Sequence, residues 1–226
     1  MNFLAHCIVA ERTGPGTVPY DLGAVLSDLC SMAGLRFAFD RLPGAVAAGV
    51  RCHRVADRVF HADPEFLAGA RAIRAGASSA GLPPGASRAV GHVGWELLLD
   101  GTPAVAGAAG RFEAALGESA SVVPAFAPGD AQSWLRLADR LAADRFWTRY
   151  DDPEVVARRL FGLLGRRPRL AFGRDALGAA ASVMAASRPM VLAGADSVVE
   201  RVVQGVLADR DRARAPRLPS GSPSGR

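Results

Sequence analysis

The residues best suited to chemistry lie in the segment 49–64, GVRCHRVADRVFHADP. His53, Asp57 and His61 are spaced four residues apart, so a helix would place them one turn apart on a single face. Imidazole nitrogens and carboxylate oxygens are common ligands of divalent metals. Apolar residues flank this row and indicate a helix inside a bundle: Val50, Val55, Ala56, Val59 and Phe60. We therefore predict a helix over 45–61 that turns a row of metal ligands towards an internal site.

The histidines are concentrated in one part of the chain, since His6, His53, His61 and His92 all lie within the first 92 residues. His92 and Glu96 are spaced i, i+4 in a second predicted helix over 88–101, and Asp100 follows one turn later. Asp100 could replace Glu96 as a ligand, but it lies at a helix end beside Gly101, where we expect an exposed acid. Two such helices facing each other would make a metal site. Asp28 lies between Leu26 and Leu29 and is either a solvent-facing residue or a ligand turned into the site.

The same spacings have a plainer interpretation. His53, Asp57 and His61 could make ordinary i, i+4 hydrogen bonds, with Arg54 and Arg58 as solvated helix charges. One such pair would favour that interpretation. Four histidines together with several acids favour a metal site.

Composition predicts an all-α fold. Gly and Ala are abundant, while Ile8 and Ile73 are the two isoleucines of the 226 residues. Half of the residues are hydrophobic, which is enough for one large core. We predict a single-domain helical bundle over 1–210. The tail over 211–226 is basic and rich in Pro, Gly and Ser, and is predicted to be disordered.

The charge pattern is unusual because all 27 basic residues are arginines, set against 22 acids, with a pI near 10. A coding bias explains this, and an acidic partner such as a carrier protein is the functional alternative. Three scattered cysteines, no signal peptide and no apolar run of about 20 residues predict a cytoplasmic protein that contacts neither membrane nor nucleic acid.

Helix boundaries follow from capping residues and prolines. Asp21, Ser87 and Asp130 are predicted to cap the helices that follow them, and Asp63 with Pro64 marks a new helix start. Breaks are predicted at 167–168 and at 188–189, where proline follows arginine.

Four motifs, in this order and spacing, resemble the acyl carrier protein phosphodiesterases, which are relatives of the HD-domain metal-dependent phosphohydrolases. They are MNFLAH, LGAVLSD, LPGAVAAGVRCHRVAD and RAVGHVGWELLL, and they cover about the first 100 residues. The resemblance implies an HD-domain-like helical fold and a divalent metal, usually manganese or magnesium. It implies hydrolytic removal of 4'-phosphopantetheine from a carrier protein serine.

Matching positions imply a set of site residues. His6, Asp28, His53 and Asp57 correspond to metal-site positions, and Arg54 and Arg88 to arginines on the phosphate side. Asp57 and Arg54 are the residues expected to take part in catalysis.

The chain departs from the family pattern at the remaining ligand positions. Phe60 and His61 stand where a Thr-Asp pair is expected, and His92, Glu96 and Leu97 stand where Asp-x-x-x-Asp-His is expected. Each change exchanges one ligand type for another. We therefore predict a retained, nitrogen-richer site that adds His61, His92 and Glu96 and holds one or two ions, Mn2+ or Fe2+.

Three functions fit these residues. The first is a metal-dependent hydrolase acting on a carrier protein or on a small phosphodiester. The second is a di-iron oxygenase, because some HD-domain relatives hold two irons with a similar set of histidines and aspartates. The third is a carrier-binding protein without catalytic activity.

Overall fold

The computed structural model describes residues 1–214, and this part of the chain is all-helical, as predicted, with no β-strand. The ten helices are α1 Phe3–Thr13, α2 Val18–Ala33, α3 Gly44–His61, α4 Pro64–Ser79, α5 Pro84–Asp100, α6 Pro103–Ala106, α7 Ala109–Gly117, α8 Pro128–Asp144, α9 Pro153–Leu164 and α10 Leu177–Arg214. Buried side chains from Met1 to Val206 form one hydrophobic core.

The helices α2 and α3 cross at two glycines. A Cβ atom added to Gly49 would lie 2.1 Å from the carbonyl oxygen of Tyr20, and one added to Gly23 would lie 2.1 Å from that of Val46. Any larger residue would push the two backbones apart. The contact therefore fixes the spacing between the helices that carry Asp28 and His53.

The helix α1 is capped by a residue distant in sequence. Asp100, the last residue of α5, accepts hydrogen bonds from the backbone N–H groups of Leu4 and Ala5, both at 3.0 Å. These groups have no partner within α1, and a carboxylate at a helix N-terminus is also favoured by the helix dipole. Asp100 is 1% exposed, and its burial raises its pKa to about 7. The end of α5 therefore positions α1 and the His6 it carries.

The predicted helix start at Asp63 and Pro64 is confirmed. The Asp63 carboxylate accepts from the N–H groups of Glu65 and Phe66, and Pro64 is the first residue of α4. Arg201 of α10 donates to both oxygens of the same carboxylate at 2.6 and 3.1 Å. The cap thus also ties α4 to α10.

The three other predicted caps are wrong. Asp21 lies inside α2, where it is buried and pairs with Arg111 of α7 at 2.7 Å. Ser87 lies inside α5, and its hydroxyl donates to the carbonyl oxygen of Leu82 at 2.9 Å. Asp130 is the third residue of α8. In α2, α5 and α8 a proline in the first turn starts the helix before the polar residue is reached.

The break predicted near Arg188 and Pro189 is also wrong, whereas the break before Pro168 is confirmed by the end of α9 at Leu164. α10 continues through Pro189, which is exposed, as is Ala185 four residues earlier. The carbonyl that loses its partner can then be hydrated, which lowers the cost of the proline.

The long helix α10 packs against α3, α4, α5 and α9. By length and composition alone it could cross a membrane, with a mean hydropathy of 1.4 over its most apolar 18 residues, of which 22% are buried. It extends to Arg214, four residues into the segment predicted to be a disordered tail, and residues 215–226 of that segment lie outside the described part.

We predict that Gly49→Ala destabilises the protein by about 1–3 kcal/mol or more, because the added methyl group meets backbone atoms of α2 that cannot move independently. Gly44→Ala, on the same helix with no atom near the added Cβ, is the matched control and should change the stability by less than about 1 kcal/mol. Urea unfolding measures both. Equal midpoints for the two variants would contradict the role given to the crossing.

Candidate metal centre

The first group of potential ligands joins three helices, and we call it the buried group because both of its histidines are buried. His6 comes from α1, Asp28 from α2 and His53 from α3, and their ligand atoms all lie within 4.8 Å of one another. The Nε2 atom of His6 is 3.3 Å from one oxygen of Asp28, and Nε2 of His53 is 3.7 Å from the other. The histidines are 1% and 6% exposed. Residues 6, 28 and 53 of the sequence prediction are thus brought together.

The protonation of these histidines suits metal binding. Nδ1 of His53 is 3.0 Å from the carbonyl oxygen of Ala24, which can only accept, so this nitrogen carries the proton and the lone pair of Nε2 faces Asp28. Burial lowers the pKa of His53 to about 4 and that of His6 to about 3. Both imidazoles are therefore neutral at pH 7. Burial also raises the pKa of Asp28, to about 6.

His6 has a further property that a metal would explain. Among the described residues, neither of its ring nitrogens has a hydrogen-bond partner of good geometry, although the ring is buried. Such groups are uncommon in folded proteins and are often found at functional sites. The donor set around it, two imidazoles and one carboxylate, matches the ligands that iron, zinc and manganese accept.

The second group is half-exposed and consists of His61, at the end of α3, with His92 and Glu96 of α5. Nε2 of His61 is 3.1 Å from Nε2 of His92 and 3.2 Å from Oε1 of Glu96, and the His92–Glu96 distance is 3.3 Å. Adjacent ligands of an ion bound at about 2.0–2.1 Å lie about 2.9–3.4 Å apart in octahedral or tetrahedral geometry. The three atoms therefore have the spacing of one face of a coordination shell.

An aromatic cluster packs against the two histidines of this second group. The ring centroids of Phe66 lie 5.4 Å from His61 and 5.2 Å from His92, in edge-to-face arrangements, and Phe60 lies 5.3 Å from His61. Phe60 and Phe66 pack in turn on the buried ring of Trp95. These contacts restrict the imidazole rings to few rotamers.

Asp57 lies between the two groups. One oxygen is 3.1 Å from Nδ1 of His61, and the other is 3.2 Å from the amino nitrogen of Met1, which is also 3.3 Å from Glu96. Burial opposes ionisation of Asp57, but the bond from His61 and the charge of the amino group outweigh it and hold its pKa below the usual range. A carboxylate bonded to the distal nitrogen of a ligating histidine orients that ring. The geometry thus gives Asp57 an orienting role towards His61.

A cavity of about 590 Å³ connects this centre with the surface. Its acidic and imidazole side is formed by Asp28, Asp57, His61, His92 and Glu96, while His6 and His53 are not among its lining residues. Another part of its wall comes from the C-terminal half of the chain and carries Tyr150, Arg159, Arg166 and Arg167. A substrate in the cavity would contact ligands and arginines together.

The arginines of this wall differ from those predicted. Arg54 is exposed, with its guanidinium carbon 5.0 Å from the ring centroid of Phe39, and Arg88 is exposed on α5. Neither is among the residues that line the cavity. Arg159, Arg166 and Arg167 were missed because nothing in their local spacing marks them among 27 arginines. Asp100, considered as an alternative to Glu96, is the cap of α1 and is not an exposed acid.

Comparison of the chain with protein-family models, with characterised proteins and with solved structures gives no match. The functional assignment therefore depends on the sequence motifs and on the geometry of the site.

We predict that the protein binds up to two divalent ions, one at each group. His53→Ala should remove the ion of the buried group and His92→Ala that of the half-exposed group, because each takes away one of only three ligands. Elemental analysis after dialysis measures the number of metal ions bound per chain. Asp139→Ala, an exposed acid on α8, is the control and should not alter it. Negligible metal in the wild type would rule out the centre.

We further predict that the half-exposed group binds metal more tightly as the pH rises from 7 to 9. Hydrogen bonds to Asp57 and Glu96 raise the pKa of His61 to about 9, so the metal-free ring is protonated at pH 7 and must lose this proton to bind. In His53→Ala the buried group should hold no ion, so the measured affinity is that of the half-exposed group. Its affinity for Mn2+ should rise by up to about tenfold per pH unit and level off above pH 9.

Asp57→Asn is the control for this pH dependence. It removes the largest cause of the raised pKa, so the affinity should level off at a lower pH. An affinity that stays constant from pH 7 to 9 in both proteins would show that His61 does not lose a proton on binding.

Proposed function

We propose that the protein is a divalent-metal-dependent phosphodiesterase. The observation that carries this proposal is that Asp28 of the first group and all three ligands of the second line one cavity together with Arg159, Arg166 and Arg167. Phosphodiester cleavage needs activation of water next to a phosphorus atom and neutralisation of the phosphate charge. The residues that line the cavity supply groups of both kinds.

The donor set favours certain metals. Each group contains two imidazoles and one carboxylate, so manganese, iron or zinc suits it better than magnesium, which prefers oxygen ligands. When bound, such an ion supplies Lewis-acid polarisation of a phosphoryl oxygen and lowers the pKa of a water molecule. His6, Asp28 and His53 would hold one ion, and His61, His92 and Glu96 the other.

The remaining residues act on the substrate and on the ligands. Asp57 keeps the ring of His61 in the tautomer whose Nε2 atom faces Glu96. Arg166 and Arg167 stand at the cavity wall, where guanidinium groups can neutralise the non-bridging phosphate oxygens. Arg54 and Arg88 remain predictions from the resemblance, without support from their positions.

The motif resemblance supports a specific substrate class and a fold family. It favours an HD-domain-like arrangement and a holo carrier protein, from which 4'-phosphopantetheine would be released. A cavity next to three arginines suits an acidic carrier protein, and so does a pI near 10.

We predict Mn2+-dependent cleavage of holo carrier protein or of a small diester such as bis(p-nitrophenyl) phosphate, with no need for oxygen. Mass spectrometry follows loss of the phosphopantetheine arm, and absorbance follows the small diester. His53→Ala should lower the rate at least about 100-fold, because losing a ligand costs more than losing a residue that only orients one. Asp139→Ala is again the control. Failure with a panel of carriers, diesters and metals would reject the hydrolase.

One observation favours a second candidate, an iron-dependent oxygenase. Each group is a set of two histidines and one carboxylate, the set that non-haem iron oxygenases use. In the same assays, oxygen consumption by the iron-loaded protein without diester cleavage would indicate this function. The double substitution His61→Asp with His92→Asp separates the two further. It should keep Mn2+-dependent hydrolysis in a hydrolase, but in an oxygenase it should abolish oxygen use and the iron bound at the half-exposed group.

A further inference from the structure

Three polar side chains that line the cavity are not explained by the metal centre. They are Asn2 at the start of α1, Tyr150 just before α9 and Arg159 on α9, and all three line the cavity. Within the described part of the chain, the Nδ2 of Asn2, the hydroxyl of Tyr150 and the Nε of Arg159 are buried and make no hydrogen bond of good geometry. Arg159 and Asn2 lie close enough to the Tyr150 hydroxyl to lower its pKa. Tyr150 as a whole is 1% exposed. A buried polar group without a partner is costly, so three together indicate a ligand site.

All three groups can donate a hydrogen bond. The amide nitrogen of Asn2 and the guanidinium nitrogen of Arg159 only donate. The tyrosine hydroxyl keeps its proton, because burial raises its pKa more than Arg159 and Asn2 lower it. Arg159 is held by its neighbours, with its guanidinium carbon 3.9 Å from the centroid of Phe146 and one nitrogen 2.9 Å from the sulfur of Met32. The side chain is therefore preorganised, and its free Nε–H does not need to be ordered by the ligand.

Among acidic groups, Asp100 acts on this site, because its charge raises the pKa of Tyr150. Both of its oxygens accept backbone hydrogen bonds from α1, and none of the three donors is hydrogen-bonded to it. The positive charge of Arg159, with Arg166 and Arg167 on the same wall, favours an anion.

We infer that Asn2, Tyr150 and Arg159 form an oxyanion subsite that binds a phosphate group independently of the metal ligands. Three neighbouring donors suit a tetrahedral oxyanion, which has acceptors on every side. That the phosphate belongs to the substrate rests on the proposed function. The subsite would then hold the phosphate in the same cavity as the metal groups and set its orientation there.

The test is binding of inorganic phosphate to the full-length protein after removal of metal by a chelator, measured by isothermal titration calorimetry. We expect one phosphate per chain. Tyr150→Phe keeps the packing of the ring and removes one hydrogen bond to a charged ligand, which should weaken binding about tenfold. Arg159→Lys keeps the charge but loses the planar donors, and should weaken binding at least as much.

Arg158→Ala provides the matched control, since Arg158 directly precedes Arg159 in α9 but pairs with Glu154 on the solvent side. Its phosphate affinity should equal that of the wild type, and thermal melts of all variants should show that they fold. Phosphate binding that is absent from the metal-free wild type, or equal in all variants as expected for surface arginines, would overturn the inference.

The two proposals fail separately. Binding that depends on Tyr150 in a protein without diesterase activity would reject the hydrolase and leave the subsite. Diesterase activity whose KM is unchanged by Tyr150→Phe and Arg159→Lys would reject the subsite and leave the hydrolase.

Discussion

The close crossing of α2 and α3 is the constraint on which the candidate centre depends. Because Gly23 and Gly49 allow backbone contact, the carbonyl oxygen of Ala24 reaches Nδ1 of His53, and Asp28 reaches its Nε2. A single helix-to-helix distance thus sets the tautomer of one histidine and the position of its acidic neighbour. A larger residue at either glycine would alter all of these together, since the interior cannot absorb a shift in one element alone.

The parts of this arrangement that depend on local spacing could be predicted from the sequence. The row of His53, Asp57 and His61 follows from helical periodicity, and Asp57 and His61 do make an i, i+4 contact at 3.1 Å. The His92–Glu96 pair was found in the same way. The all-helical class followed from composition, because Gly- and Ala-rich sequences with few β-branched residues seldom form sheets.

The parts that depend on distant contacts could not be predicted. Asp100 was expected to be exposed next to Gly101, yet it is buried because α1 lacks a cap of its own and takes one from α5. Asp21 was expected to be a cap, yet its charge is compensated by Arg111, about 90 residues away in the sequence. Tyr150 and Arg159 gave no signal, since a single tyrosine or arginine has no periodic partner that would mark it. Pairings of this kind are set by tertiary packing, which sequence spacing does not describe.

The unequal exposure of the two ligand groups has a consequence for how ions would enter and leave. The cavity reaches Asp28 but not His6 and His53, so an ion bound for the inner group would enter from the cavity past Asp28. Leaving would require the same passage. The outer ion would then exchange quickly with the medium and respond to its composition, whereas the inner ion would be retained for much longer and would act as a lasting part of the folded protein.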